Sequence, residues 1–157
     1  MNSEYFPVTS MWQDRAESGD AAAQFQLGYC YDMGQGAPVD IEAACHWYQR
    51  AAAQGHARAQ HHLGLAFSNG LGVEWNLAEA CKWLTLASRN GIAEAAEALQ
   101  ALKIPPDQRA EGERMASRFA PASAIQTDVP RTRRVVEPPP ASAALSVRAI
   151  QTHLPLD

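Results

Sequence analysis

Apolar side chains recur through the first two thirds of the chain with the spacing of helices that bury one face. In one stretch they follow each other at i, i+4 and i+8, as Ala23, Leu27 and Tyr31 do. In the next stretch an apolar or aromatic side chain stands at every third or fourth position from Ile41 to Ala51. Periods near 3.6 residues predict two amphipathic helices, A and B, and the glycines of "GQG" between them predict a tight turn.

The same pattern is written twice, at a fixed offset of 36 residues. A period of this length is typical of repeat arrays, in which a helical hairpin can bury its apolar face only against neighbouring copies. The positions that define the first copy are Leu27, Gly28, Gly34, Gly36, Asp40, Trp47 and Gly55. They return in the second copy as Leu63, Gly64, Gly70, Gly72, Asn76, Trp83 and Gly91.

Each repeated residue has a packing or turn role. Asp40 and Asn76 precede helix B, where a side-chain oxygen can accept from the amides of the first turn. Gly55 and Gly91 stand where helix B must end, because glycine tolerates a left-handed turn. The glycine within helix A lets a neighbouring helix approach closely, and the tryptophan of helix B is expected to fill the space between helices.

The repeated positions resemble the Sel-1-like repeat (SLR), a relative of the tetratricopeptide repeat. The segments "AQFQLGYCYDMGQGAPVDIEAACHWYQRAAAQG" and "AQHHLGLAFSNGLGVEWNLAEACKWLTLASRNG" carry the pattern, which the second copy departs from at Leu84 and Ser88. The likeness extends over residues 9–103. It implies an all-α, right-handed α-α superhelix of about six helices, and a non-enzymatic adaptor that holds a protein or peptide on its concave face.

The repeat frame also divides the chain into regions. Two prolines, Pro105 and Pro106, break one helix and suit the start of another, which indicates a closing helix after the last repeat. The regions are an N-terminal extension 1–8, a repeat domain 9–120 and a tail 121–157. The repeat domain comprises a half unit 9–18, full repeats 19–54 and 55–90, a partial repeat 91–103 and a capping helix 106–119.

The tail is rich in Pro, Ser and Ala and has no sustained period. Such a segment buries too little apolar surface to offset its ordering entropy, which predicts a disordered C-terminus. Two pieces, "RTRRVVEPPP" and "ALSVRAIQTHL", have the character of short linear motifs. The tail is therefore an inert extension, a docking motif or a segment that folds into the protein's own groove.

Composition narrows the class of partner. The chain has 157 residues, 46% of them hydrophobic, and a formal net charge of -4, which predicts a soluble domain and no nucleic-acid partner. The protein or peptide ligand is what the resemblance implies. No apolar run is long enough for a membrane helix and no leader is apparent, so we expect no membrane insertion and a cytoplasmic location. Three cysteines match no zinc or redox spacing and are expected to be small buried hydrophobes. The oligomeric state stays open.

The sequence contains no phosphate-loop, zincin, nucleophile-elbow or acyl-serine motif, so we predict no catalytic residues, no cofactor, no metal and no enzymatic activity. One alternative is a metal-binding or hydrolytic site that uses His46, His56, His61 and His62. Because His61 and His62 are adjacent, they point about 100° apart on a helix, and surface histidines are the ordinary interpretation. A second alternative is a structural subunit that assembles with itself.

Helix A supplies the candidate binding surface, because A helices line the concave side of tetratricopeptide-like stacks. Phe25 and Tyr29 lie opposite the face that bears Leu27, and if exposed they form an aromatic platform for a peptide or helix. The alternative is that both rings pack against the N-terminal "EYFPV". The candidate groove is lined by Phe25, Tyr29, Asp32, His61, Leu65 and Ser68.

Overall fold

The computed structural model describes the backbone of residues 6–121 and the side chains of residues 8–121. This part of the chain contains helices and turns only, which confirms the all-α prediction, and it has seven helices where about six were expected. The predicted tail lies outside the described residues, apart from Pro121. The helices are α1 (Phe6–Glu17), α2 (Ala21–Met33), α3 (Ile41–Ala53), α4 (Ala57–Asn69), α5 (Leu77–Arg89), α6 (Ala93–Ala101) and α7 (Pro106–Arg118).

Helices α2 and α4 are the A helices of the two full repeats, and α3 and α5 are the B helices that pair with them. Helix α6 is the A helix of the partial repeat. Each helix from α1 to α6 packs on the next, so the hairpins form a stack. Helix α1 serves as a lone B helix at the start and begins at Phe6, three residues before the predicted half unit. At the other end α7 packs on α5. No helix among residues 6–121 combines the length and apolar character that a membrane crossing needs.

The starts of helices α2, α3, α4 and α5 are capped by side chains. The carboxylate of Asp40 accepts from the Ala43 amide at 2.9 Å and the Asn76 side-chain oxygen accepts from the Glu79 amide at 3.0 Å, as the repeat pattern predicted. The A helices are also capped, by Asp20 on α2 and by the His56 imidazole on α4. The sequence interpretation did not identify these two caps, although they too lie one period apart.

Two glycines let the helices of each hairpin approach closely. A Cβ built at Gly28 would lie 2.9 Å from the Tyr48 ring, and one built at Gly64 would lie 2.6 Å from Cγ of Leu84. Real Cβ atoms do not approach other heavy atoms so closely, so a side chain at either position would push the two helices apart. The predicted role of these glycines is confirmed.

A buried glutamine joins successive units through hydrogen bonds. The Gln24 amide nitrogen donates to the carbonyl of Ala16 at 3.0 Å, and its oxygen accepts from Gln54 at 2.8 Å. One period later Gln60 donates to a carbonyl of α3 at 3.2 Å and accepts from Asn90 at 2.9 Å. Both glutamines are almost fully buried, so these bonds satisfy polar groups that burial would otherwise penalise. We call this arrangement the glutamine ladder.

The turns between A and B helices, residues 34–40 and 70–76, lie side by side and form what we call the turn edge. A Cβ at Gly72 would lie only 2.6 Å from the carbonyl oxygen of Ile41, which places the second turn against the start of α3. The turns from B to A, around Gly55 and Gly91, lie at the other ends of the same helices and form the opposite edge. After α7 the chain reaches this opposite edge, where Pro121 Cβ would lie 3.1 Å from a Cβ at Gly55.

Candidate functional site

The two aromatic residues proposed as an exposed platform are buried. Phe25 is 2% exposed and Tyr29 is 4% exposed, so the prediction that they form an open aromatic surface is wrong. Phe25 lies at the junction of α2, α3 and α4, where its ring stacks on His56 with centroids 4.8 Å apart and contacts Tyr48 at 5.7 Å. The alternative, packing against "EYFPV", involves side chains that lie mostly outside the described residues.

The other members of the predicted groove are distributed between interior and surface. His61 and Leu65 are 3% and 7% exposed. Asp32 and Ser68 are half-buried, and Asp32 accepts a hydrogen bond from the Tyr48 hydroxyl at 3.0 Å. The six residues therefore do not form one open groove, and a role in partner binding stays a prediction for the two half-buried members.

The histidines also lie deeper than expected. His62 is 2% exposed and stacks on Tyr48 with ring centroids 5.0 Å apart, and His61 is buried beside it, so the expectation of surface histidines is wrong for both. Burial, and then the positive charges expected at His61, His56 and Arg58, lower the pKa of His62 to about 3. Burial lowers the pKa of His61 as well, against the opposing effect of Glu94. His46 is exposed and does not join this group.

The cysteines and histidines do not assemble into a metal site in the described part of the chain, which contains no group of three possible metal ligands. All three cysteines are buried, as expected. Burial raises the pKa of Cys30 to about 11 and of Cys45 to about 12, so both remain protonated thiols at neutral pH. The Cys45 thiol donates to the carbonyl of Leu71 at 3.2 Å and so contributes to packing at the turn edge.

Acid is expected to destabilise the fold through His62. The pKa of this imidazole is about 3 in the folded chain and ordinarily 6.5, so the unfolded chain binds a proton that the folded chain excludes. The contribution of neutral His62 to the free energy of unfolding is therefore fully present above about pH 6.5. It falls as pH drops, by about 1.5 to 2 kcal/mol between pH 6.5 and pH 5. Urea denaturation at several pH values measures the slope of the free energy of unfolding against pH.

A matched pair of variants identifies the group responsible. His62→Phe keeps a ring between Tyr48 and Phe25 and should reduce the pH dependence of stability between pH 6.5 and pH 5, leaving the part that buried His61 contributes. His46→Gln removes an exposed histidine and should retain it. An unchanged slope in His62→Phe would show that another group causes the acid sensitivity.

Exposed apolar side chains gather at the turn edge. Val39 is 61% exposed and Trp75 is 57% exposed, and the two occupy the same repeat position, directly before the N-cap of helix B. Val8 and Met11 on α1 are 39% and 61% exposed. Together these are the large apolar side chains that stay exposed among the described residues, and we call them the apolar strip.

Helix α1 brings its two members of the strip to the same edge. The Thr9 hydroxyl lies 3.4 Å from the carbonyl of Gly36 in the first turn, so the N-terminal half of α1 borders the turn edge. Val8 and Met11 are three residues apart and share one side of this helix. The sequence interpretation did not identify the strip, although an apolar residue before each helix B cap, Val39 and Trp75, was a visible signal.

Charge also differs between the two edges. Asp40, Glu42 and Glu74 are exposed carboxylates beside the strip, and Glu79 forms an ion pair with Lys82 at 3.3 Å. The last turns of α1, α3, α5 and α7 carry basic residues instead. These are Arg15, Arg50, Arg89 and Arg118. The turn edge is thus both apolar and acidic, a combination suited to a ligand that is apolar and basic.

Comparison with known proteins identifies the repeats. The family model described as the Sel1 repeat matches residues 21–56 and 57–92, two units of the predicted length whose frame begins two residues later than the predicted one. No curated protein matched the chain. The remaining similarities are to solved structures.

Two crystal structures have the same architecture. A Sel1 repeat protein from Oxalobacter formigenes is 37% identical, with a TM-score of 0.58, over 60% of this chain and 28% of the other. A protective antigen of uropathogenic Escherichia coli strains, which displays an SLR fold, is 27% identical, with a TM-score of 0.68, over 88% of this chain and 31% of the other. The chain therefore spans less than a third of the length of either protein.

Proposed function

This chain is built on two Sel1 repeats in an SLR fold, and from that premise we propose that it is a non-enzymatic scaffold that binds a segment of another protein. SLR folds commonly serve as scaffolds for protein interaction. In this chain the residues shared by the two repeats are used for packing, capping and turns. The side chains available to contact a partner are therefore exposed ones outside the repeat pattern.

The observation that carries the proposal is the apolar strip. Large apolar side chains that stay exposed together mark interaction surfaces, because their burial by a partner removes them from water. Trp75 is the strongest member, since tryptophan is enriched among the residues that dominate binding energy. Exposed carboxylates beside it favour a partner segment that combines apolar and basic side chains.

The concave face of the stack is a weaker candidate. Two aromatic residues predicted to line it, Phe25 and Tyr29, are interior, so their replacement would disturb the packing of α2, α3 and α4 before it could report on binding. Asp32 and Ser68, which were also predicted to line it, are partly exposed. The strip, in contrast, can be altered without opening the core.

The test replaces two members of the apolar strip without disturbing the fold. In capture from native extract, followed by mass spectrometry, Val39→Ser combined with Trp75→Ser should reduce the specifically retained partner at least tenfold. Both residues are more than half exposed, so helical content and the midpoint of urea denaturation should stay close to the parent values.

Arg89→Ala, on the opposite edge, is the matched surface control and should capture the same partner as the parent chain. Equal capture by the double variant would contradict the proposal. Light scattering on the same samples tests the alternative of a structural subunit that assembles with itself. If the double variant changes the molecular mass in solution but not the captured proteins, self-assembly through the strip is favoured.

A further inference from the structure

The turn edge has the chemistry of a surface that binds a basic and apolar segment. Val39 and Trp75 supply exposed apolar contact at two equivalent positions, and three exposed carboxylates lie beside them. A segment that is both basic and apolar lies in the same polypeptide.

Residues 131–136 read "RTRRVV", three arginines followed by two valines. The described region, 6–121, carries nine basic and thirteen acidic residues, whereas residues 122–136 carry three basic residues and one acidic residue. The segment is therefore opposite in charge to the folded stack and contains the apolar side chains that the strip would accept. Opposite charge also favours its encounter with the acidic edge.

The chain leaves the described structure at a place from which this segment can reach the strip. Pro121 lies beside Gly55 on the opposite edge, and the two edges are separated by the length of α3, which has 13 residues. A helix of that length spans about 20 Å. The nine residues from 122 to 130 extend to about 30 Å, so they can cross the stack and deliver Arg131 to the turn edge.

We propose that residues 131–136 dock on the apolar strip of the same chain and compete there with the partner segment. This inference rests on the proposed function, because it assigns a regulator to the same surface. A tethered segment acts at an effective concentration in the millimolar range, so weak contacts suffice to occupy the strip. A partner must then bind more tightly than the tail, or the tail must be drawn away.

The test uses the full-length protein with one spin label. The native thiols are buried, and the pKa values of Cys30 and Cys45 are raised to about 11 and 12, so a thiol reagent reacts selectively with an introduced Thr132→Cys. If the segment docks, the label should remove more than half of the amide NMR intensity at Val39 and Trp75. If it does not dock, the largest loss should fall near Gly55, where the tail begins, and the proposal is overturned.

Charge reversals provide the matched control. Arg133→Glu should restore the signals at Val39 and Trp75, whereas Arg148→Glu, the same change outside the segment, should leave them broadened. Equal effects of the two reversals would contradict docking through residues 131–136. Broadening that appears only between labelled and unlabelled molecules in a mixed sample would assign the strip to a second copy and would also overturn the proposal.

The two proposals can fail separately. If the label shows no docking but Val39→Ser with Trp75→Ser abolishes partner capture, only the regulatory inference fails. If docking occurs and the strip variant captures partners normally, the scaffold proposal fails at this surface. If both hold, Arg133→Glu should increase partner capture severalfold, because it releases the competitor.

Discussion

Replacing Trp83 with alanine is expected to lower the free energy of unfolding by about 3 to 5 kcal/mol. The side chain is 7% exposed and lies in the largest apolar cluster, where the Phe119 ring meets it edge to face with centroids 5.5 Å apart. Truncation would leave a large void and would remove the surface on which the segment after α7 packs. Urea denaturation followed by circular dichroism measures the loss.

Trp47→Ala is the matched comparison, because Trp47 occupies the same repeat position. This ring is only half-buried, and the Arg50 guanidinium lies over it, 4.8 Å from the centroid. We expect a smaller loss, about 1 to 2 kcal/mol. Equal losses at the two positions would show that Phe119 contributes little to the packing around Trp83.

Replacing Gly72 with alanine is expected to cost about 2 to 5 kcal/mol, because two penalties add. The residue has a φ of +69°, which costs an L side chain about 1 to 2 kcal/mol. Its Cβ would also lie 2.6 Å from the carbonyl oxygen of Ile41, and relief of such overpacking by a backbone shift costs about 1 to 3 kcal/mol. Denaturation midpoints measure the sum.

Gly91→Ala separates the two penalties. Gly91 has a φ of +94°, but nothing lies within 4 Å of its Cβ position, so only the backbone term applies. Its expected cost is about 1 to 2 kcal/mol. If Gly72→Ala costs no more than Gly91→Ala, the turn edge can yield locally, and the close contact with Ile41 does not fix the spacing of the repeats.

The sequence predicted the fold well because periodicity and turn chemistry agree in it. The 36-residue offset located the hairpins, and local rules located their ends at Asp40, Asn76 and the turn glycines. Helix ends depend on residues that are neighbours along the chain. Backbone geometry requires a capping side chain or a glycine at these positions, so the presence of such a residue indicates the helix end directly.

The candidate site was harder to predict because helix A is not amphipathic in the usual sense. Residues 23–30 are all buried, and eight successive residues at 100° intervals cover the whole circumference of a helix. The side opposite Leu27 is therefore also interior. His62 was expected at the surface, but its ring contacts allow it to lie inside, as the hydrogen bonds of Gln24 allow for that residue.

The helical period of apolar residues also gave no information about Val39 and Trp75 of the strip. Val39 and Trp75 lie in turns, outside any helical period, and they were assigned no packing role. Their significance comes from exposure and from the contact between successive turns, which are properties of the assembled stack. The repeat offset alone could have drawn attention to them, since both precede a helix cap.

The glutamine ladder has a consequence for how the stack comes apart. The position one period after Gln60 is Ala96, which has no side-chain amide to bond the preceding helix, so the ladder couples the earlier units and ends before α6. In a linear array, the order of unfolding follows the strength of each interface between neighbours. Helix α6 has nine residues against 13 in each preceding A helix, so amide protons there should exchange first, and melting should spread toward α1.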